Sequence, residues 1–411
     1  MPLDITACRS QFPGLARDAV FFDGPAGSQT PRRVVEAMSD YLFHHNANHG
    51  GVFATSVEND ALLLDAQRAA AEFIGTSDPQ SIVFGANMTT LTFAFSRALA
   101  QTWQPGDNII LTDLDHDANV TPWALAARDR GVAVQYVGIR AEDCTLDVDD
   151  FERKLNSKTR LIAVGAASNA VGTKNQFDIV SFAKRIPQYA PLAEIFVDAV
   201  HYAPHGLIDV GNMPCDYLVC SAYKFFGPHV GILWGRRERL AELTPYKVRP
   251  SSNDLPDRWM TGTPNFEGIA GVRAAIDYIA SLGFGSDRRA QLTTAFGLIC
   301  PYERWLCQQL IRGLLNNSAF RVLGITDPSR FEDRFSERVP TVSIVHRRLP
   351  AKAVAEHLAK RNIFVWHGNM YALRLSEALG LEPDGMVRIG LLHYNTADEI
   401  DRLLTALNEL R

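Results

Sequence analysis

The sequence predicts an α/β protein with a mainly parallel central sheet, and three observations carry that expectation. Between residues 55 and 240, short apolar runs alternate with longer amphipathic stretches. The runs are apolar nearly throughout, as in strands covered by helices on both faces. The chain has 411 residues, enough for a large core and two domains.

The elements follow in order. Residues 57–74, 89–101 and 119–130 carry helical periodicity. Residues 81–84, 108–112, 132–137, 160–164, 194–198, 217–220 and 231–234 read as strands between and after them. Past Gly283 the pattern changes. A long helical stretch covers 289–315, followed by a strand at 339–345, a helix at 351–361, strands at 363–366 and 386–392, and a final helix at 396–407. This end-weighted layout predicts a smaller α+β domain. The expected division is a large domain at 20–283, with 1–19 and 284–411 forming the small one.

Composition narrows the function. Hydrophobic residues make up 46% and charged residues 21%, and the net charge is -5 with no long basic run. Nucleic acid is therefore not expected as a partner. No apolar stretch is long enough to span a bilayer, and the first residues lack the basic flank and apolar core of a signal peptide. The six cysteines are scattered without a Cys-x-x-Cys pair, which argues against zinc and for free thiols in a reducing, cytoplasmic compartment.

Two strand ends carry the chemistry. The run at 195–197 ends in Asp198, and the run at 217–220 leads into Ser221-Ala-Tyr223-Lys224 and then Gly227-Pro228. A lysine and an aspartate, each just past a buried strand, suit an enzyme of pyridoxal 5'-phosphate (PLP). The amine condenses with the cofactor aldehyde, and the carboxylate pairs with the pyridine nitrogen so that the ring withdraws electrons. Taken singly, they also read as a surface lysine and a helix-capping aspartate.

Further segments fall at other strand ends. Thr89 and Thr90 open a helix after the 81–84 strand, where amides and hydroxyls can cradle a phosphate; plain capping by Asn87 or Thr89 is the other reading. His116 can stack on a flat heteroaromatic ring, or be a solvated loop histidine. Asn169 can donate to a phenolic oxygen, or simply make a turn. Thr261-Gly-Thr263-Pro-Asn265 offers hydroxyls to a phosphate, or a turn before a helix. Arg388 presents a fork for a carboxylate, or a structural ion pair. His367 and His49 stand in segments expected to shape the substrate pocket, at 366–371 and 44–53. Neither a Walker sequence nor a Gly-x-Gly-x-x-Gly loop occurs here, which argues against a nucleotide or an NAD-dependent dehydrogenase.

On Asp115-His116-Asp-Ala-Asn-Val-Thr-Pro-Trp123, Val197-Asp198-Ala-Val-His201, Ser221-Ala-Tyr-Lys224 and Thr261-Gly-Thr-Pro-Asn265, the chain resembles the class V aminotransferase family, in its cysteine desulfurase-like branch. The resemblance runs from Phe22 to Thr396. It implies a fold-type I PLP-dependent enzyme with Lys224 joined to the cofactor and Asp198 on the ring nitrogen. His116 would stack on the ring, and Asn169 and His201 would lie on its phenolic oxygen side. Thr89, Thr90, Ser221 and Tyr223 would hold the phosphate, and Thr263 would reach the phosphate of the neighbouring subunit of a homodimer. Arg388 would bind the carboxylate of an amino-acid substrate.

True desulfurases carry a cysteine nucleophile on a mobile loop. The matching segment here, residues 365–372, has none, and no cysteine follows Cys307. The expected activity is therefore C–S bond cleavage of cysteine or an S-substituted cysteine, through an α-carbanion and without a protein persulfide. Transamination or epimerisation would share that carbanion. A non-catalytic, partner-binding protein is the alternative from another class, against which both Lys224 and Asp198 speak.

Overall fold

A computed structural model describes residues 3–175, 189–331 and 336–410. Among the described residues, seven strands form the central sheet: β1 (Ile82–Gly85), β2 (Asn108–Thr112), β3 (Ala133–Val137), β4 (Thr159–Gly165), β5 (Glu194–Asp198), β6 (Tyr217–Ser221) and β7 (Gly231–Gly235). Their order is β1-β7-β6-β5-β4-β2-β3. Only β7 runs antiparallel to its neighbours, so the other six point the same way. β2, β6 and β7 are buried along their whole length, which is why their sequences are continuously apolar.

The helices that cover this sheet have legible ends. α1 (Ala54–Ile74) stops where Gly75 adopts φ 87°, and α2 (Met88–Leu99) starts at Asn87, whose side chain accepts from the Thr90 amide. α3 (Thr121–Arg130) has Pro122 in its first turn and Gly131 at its end. α4 (Phe266–Ala280) is capped by the Asn265 side chain, and α5 (Arg288–Leu315) runs for 28 residues.

A second sheet is antiparallel throughout, in the order β8-β9-β11-β10, from β8 (Phe320–Leu323), β9 (Thr341–His346), β10 (Trp366–Gly368) and β11 (Met386–Gly390). It packs with α6 (Ala351–Ala359) and α7 (Ala397–Asn408), the latter opened by a capping box of Thr396 and Glu399. The N-terminal segment joins both apolar cores. Phe12, Leu15 and Phe21 belong to the core beneath the central sheet, while Val20 and Phe22 belong to that of the second sheet.

Two expectations change. The strand expected at 363–366 is divided between two sheets. Ile363–Phe364 pairs in parallel with Val20–Phe21, and Trp366–Gly368 then pairs with β11. His367 consequently lies on a strand, opposite Val387, and not in a covering loop. The strand β8 was not anticipated, because its four residues include an exposed Arg321 that interrupts the apolar run.

Candidate active site

Because β1, β2, β4, β5 and β6 point the same way, the segments that follow them converge on one edge of the sheet, the usual ligand-binding edge of open α/β folds. There a cavity of about 650 Å³ is lined by Thr89, Thr90, His116, Asn169, Asp198, His201, Ser221, Tyr223 and Lys224. The structure thus brings these nine expected residues together from five strand ends.

Lys224 follows β6 on a tight turn and is buried. Its Nζ donates to the carbonyl of Pro25 and, at 3.3 Å, to that of Ala26. Burial and the nearby Arg388 guanidinium push its pKa down to about 7, with Asp198 opposing them. Its amine is therefore substantially neutral near physiological pH, as a nucleophile or base requires.

Asp198 closes β5. Its Oδ1 accepts from the Val200 amide at 2.9 Å. Burial raises its pKa to about 6, against that hydrogen bond and the charge of Lys224. Beside it, Asp115 accepts from Thr112 Oγ1 at 2.5 Å, and burial raises its pKa to about 7 with Asp198 adding to the rise.

His116 is held by the Ala118 amide, which donates to Nδ1 at 3.0 Å. Burial lowers its pKa to about 4, helped by Lys224 and Arg388. The ring is neutral, and the accepting Nδ1 leaves the proton on Nε2. Asn169 donates from Nδ2 to the Met370 carbonyl at 2.8 Å, while its buried Oδ1 has no partner among the described residues. His201 pairs through Nε2 with Thr341 Oγ1 at 2.9 Å, and burial keeps it well below its ordinary pKa.

Thr89 and Thr90, also on the cavity wall, are exposed in the first turn of α2. The amide of Met88, the first residue of that helix, donates to Ser221 Oγ at 3.0 Å. Tyr223 stacks on His229, with ring centroids 5.0 Å apart and planes at 16°.

Arg388 lies outside the lining, on β11, but donates from Nη1 to the Asn169 carbonyl at 2.9 Å. Burial lowers its pKa to about 10, so it remains charged at neutral pH. Among the described residues its buried Nε has no partner.

Three expected residues are elsewhere. Thr263 is exposed and borders an adjoining depression that also contains Thr90. His49 and His367 are exposed, and neither lines the cavity. His49 is instead near Phe266, with ring centroids 6.1 Å apart. Both histidines follow from their own elements: His49 sits in an exposed loop and His367 on the outermost strand of the second sheet.

Asp115, His229 and the Pro25–Ala26 turn also belong to the site, and the sequence marks them only weakly. Asp115 directly precedes His116, and His229 follows Gly227-Pro228, so adjacency was the available signal. The turn contacts Lys224 across 199 residues and left no local trace.

PLP fits these residues. A depressed amine, a buried carboxylate and a helix N-terminus rich in hydroxyls face one cavity of sufficient size. Among the described residues no group of His, Cys, Asp and Glu could hold a metal, and no helix is long and apolar enough to cross a membrane.

Comparison with known proteins agrees. The family model for aminotransferase class-V matches residues 20–403. An aminotransferase-like protein of Gibberella zeae is 31% identical over 97% of this chain and 96% of its own length. A cysteine desulfurase of Pectobacterium atrosepticum is 29% identical, covering 100% of this chain and 98% of that protein. The apo structure of a cysteine desulfurase from Thermococcus onnurineus superimposes with a TM-score of 0.87 at 25% identity, covering 100% of this chain and 98% of that one. With cavity, strand order and family model in accord, the chain belongs to the class V aminotransferases, as a fold-type I, PLP-dependent enzyme of the cysteine desulfurase-like group.

Proposed function

We propose that this enzyme cleaves the C–S bond of cysteine or an S-substituted cysteine, releasing a thiol or sulfide together with pyruvate and ammonia. The observation that carries the reading is the pairing of the depressed Lys224 amine with the segment at residues 365–372, which contains no cysteine. The site has a base for the α-proton and no thiol there to receive sulfur.

When bound, PLP supplies an electron sink next to the substrate amine, which makes the α-proton removable. The chain's own residues do the rest. Asp198 would pair with the ring nitrogen, His116 would cover the ring face, and Asn169 and His201 would lie on its phenolic-oxygen side. The first turn of α2, with Thr89, Thr90, Ser221 and Tyr223, would hold the phosphate. Arg388 takes the substrate carboxylate, which fixes Cα within reach of Lys224. Lys224 would take the α-proton on its amine and return it to the departing sulfur, so that a thiol leaves as the C–S bond breaks, and one water would be consumed in releasing the remaining three-carbon unit as pyruvate and ammonia.

The same reading includes a homodimer, in which the exposed Thr263 completes the phosphate site of the neighbouring subunit. It places the enzyme in the cytoplasm, where its six free thiols stay reduced. It divides the chain into a large domain at 20–283 and a small one formed by 1–19 and 284–411.

The test is to supply cysteine and S-substituted cysteines to the PLP-loaded enzyme and assay thiol and pyruvate. Stoichiometric release of both is expected. Racemisation, or exchange with a keto acid, without thiol release would replace this reading by epimerisation or transamination.

A further inference from the structure

We propose that Tyr371 is a specificity-determining residue, whose ring forms an aromatic wall beside the Lys224 cavity and selects amino acids with a flat apolar group on the β-substituent, such as S-benzylcysteine. The inference rests on the C–S cleavage reading for its substrate class.

Tyr371 combines an exposed ring with a fixed backbone. Its side chain is 73% exposed, although the segment that carries it is anchored on both sides. The Asp117 amide donates to the Tyr371 carbonyl at 2.7 Å, and the Asn169 side chain donates to the preceding Met370 carbonyl at 2.8 Å. The Tyr371 amide donates to Asn369 Oδ1 at 3.1 Å. Three residues on, Arg374 pairs with Asp113 at 2.6 Å and lies over the Tyr136 ring at 3.5 Å.

These anchors hold the Tyr371 ring nearly parallel to His116, with centroids 5.4 Å apart and planes at 22°. His116 is a wall of the cavity, and its low pKa keeps the ring uncharged. Tyr371 is not itself among the residues that line the cavity; its ring stands just outside, against His116. Trp366 and Leu373, also exposed, stand on either side in sequence.

The backbone adds an independent argument. Met370 and Tyr371 both adopt φ 58°, a left-handed conformation that bulky residues rarely take and glycine takes freely. Packing does not explain a tyrosine there, because the ring is mostly in solvent. A surface that stacks a flat substrate group does explain it.

The experiment compares PLP-loaded wild type with Tyr371→Phe and Tyr371→Gly. Calorimetry measures binding of two analogues that lack an α-proton, S-benzyl-α-methylcysteine and α-methylcysteine. Tyr371→Gly should weaken the benzyl analogue about tenfold relative to the small one, and Tyr371→Phe should preserve the wild-type ratio. Tyr371→Gly should melt no lower than wild type. An unchanged affinity ratio, or a destabilised glycine variant, would overturn the inference. Thiol and pyruvate assays separate the two claims. A shifted ratio without thiol release removes the lyase reading and keeps the wall; thiol release with an unshifted ratio does the reverse.

Discussion

Arg388 donates from Nη1 to the main-chain carbonyl of Asn169 at 2.9 Å, joining β11 of the second sheet to the segment after β4 of the first. A residue of one sheet is thereby fixed beside the cavity of the other. The guanidinium is buried and charged, and its Nε has no partner among the described residues. A buried fork with donors to spare suits a carboxylate that arrives with the substrate.

Replacing Arg388 by lysine should therefore raise KM for amino-acid substrates by about tenfold to a hundredfold, because an ammonium cannot reproduce the two parallel bonds. The cofactor absorbance should be unaffected. Steady-state kinetics of Arg388→Lys checks this, and an unchanged KM would remove Arg388 from substrate binding.

Lys224 makes the cofactor-free protein sensitive to pH. The group titrates at about 7 when folded and at 10.5 in its ordinary state, so between these values the unfolded chain binds the additional proton. Stability contributed by this group should rise with pH across that window. Urea unfolding of the cofactor-free protein at pH 7 and pH 9.5 should show the gain, and Lys224→Met should show less of it. The same variant should take up no label when the PLP-treated protein is reduced with borohydride.

For Asp198 the sign is reversed. Its folded pKa of about 6 exceeds the ordinary 3.8, so the folded state binds more protons between those values and the group's contribution to stability falls as pH rises through them. Asp198→Asn should leave the cofactor-free protein at least as stable above pH 6. It should nevertheless weaken PLP binding by about tenfold or more, through loss of the charge on the ring nitrogen. Denaturant titration and PLP titration of the variant measure the two effects, and retained PLP affinity would place the ring nitrogen elsewhere.

Behind His201, the buried His205 and Glu303 side chains meet at 2.7 Å. Glu303→Ala should leave His205 without its acceptor and cost about 3–5 kcal/mol of stability. Glu303→Gln keeps an acceptor and should cost less. Urea unfolding orders the two variants, and equal stabilities would mean that the pair contributes little.

Much of this site was legible in sequence for a specific physical reason. Lys224 and Asp198 each follow a short run that is apolar because β6 and β5 are buried on both faces, and parallel strands bring such ends to one edge. His116 and Asn169 follow β2 and β4 in the same way. Positions that depend on contacts between distant segments are not legible in sequence. The carbonyls of Pro25 and Ala26 meet Lys224 because the N-terminal segment lies against β11, where Gly390 donates to Phe22. Asp23, whose half-buried carboxyl is raised to about 6 by burial and lies near Arg388, is brought in by the same segment. His49 and His367 are illegible for a different reason: a histidine near glycine carries no periodicity that reveals whether it points inward.

That N-terminal segment supplies a test at Gly390. The Gly390 amide donates to the Phe22 carbonyl at 2.8 Å, and a Cβ built on Gly390 would run into the ring of Pro25. The Pro25 carbonyl in turn accepts from Lys224 Nζ. Gly390→Ala must therefore displace the turn that orients the lysine, at an expected cost of about 1–3 kcal/mol for overpacking. PLP reconstitution should be slower or incomplete. Gly106→Ala is the control: a Cβ there meets nothing within 4 Å, and the strain comes only from φ 93°. It should lower stability without altering PLP uptake. Melting temperature and the time course of cofactor absorbance, measured on both variants, separate the effects. If Gly390→Ala takes up PLP like wild type, the Pro25 turn does not position Lys224.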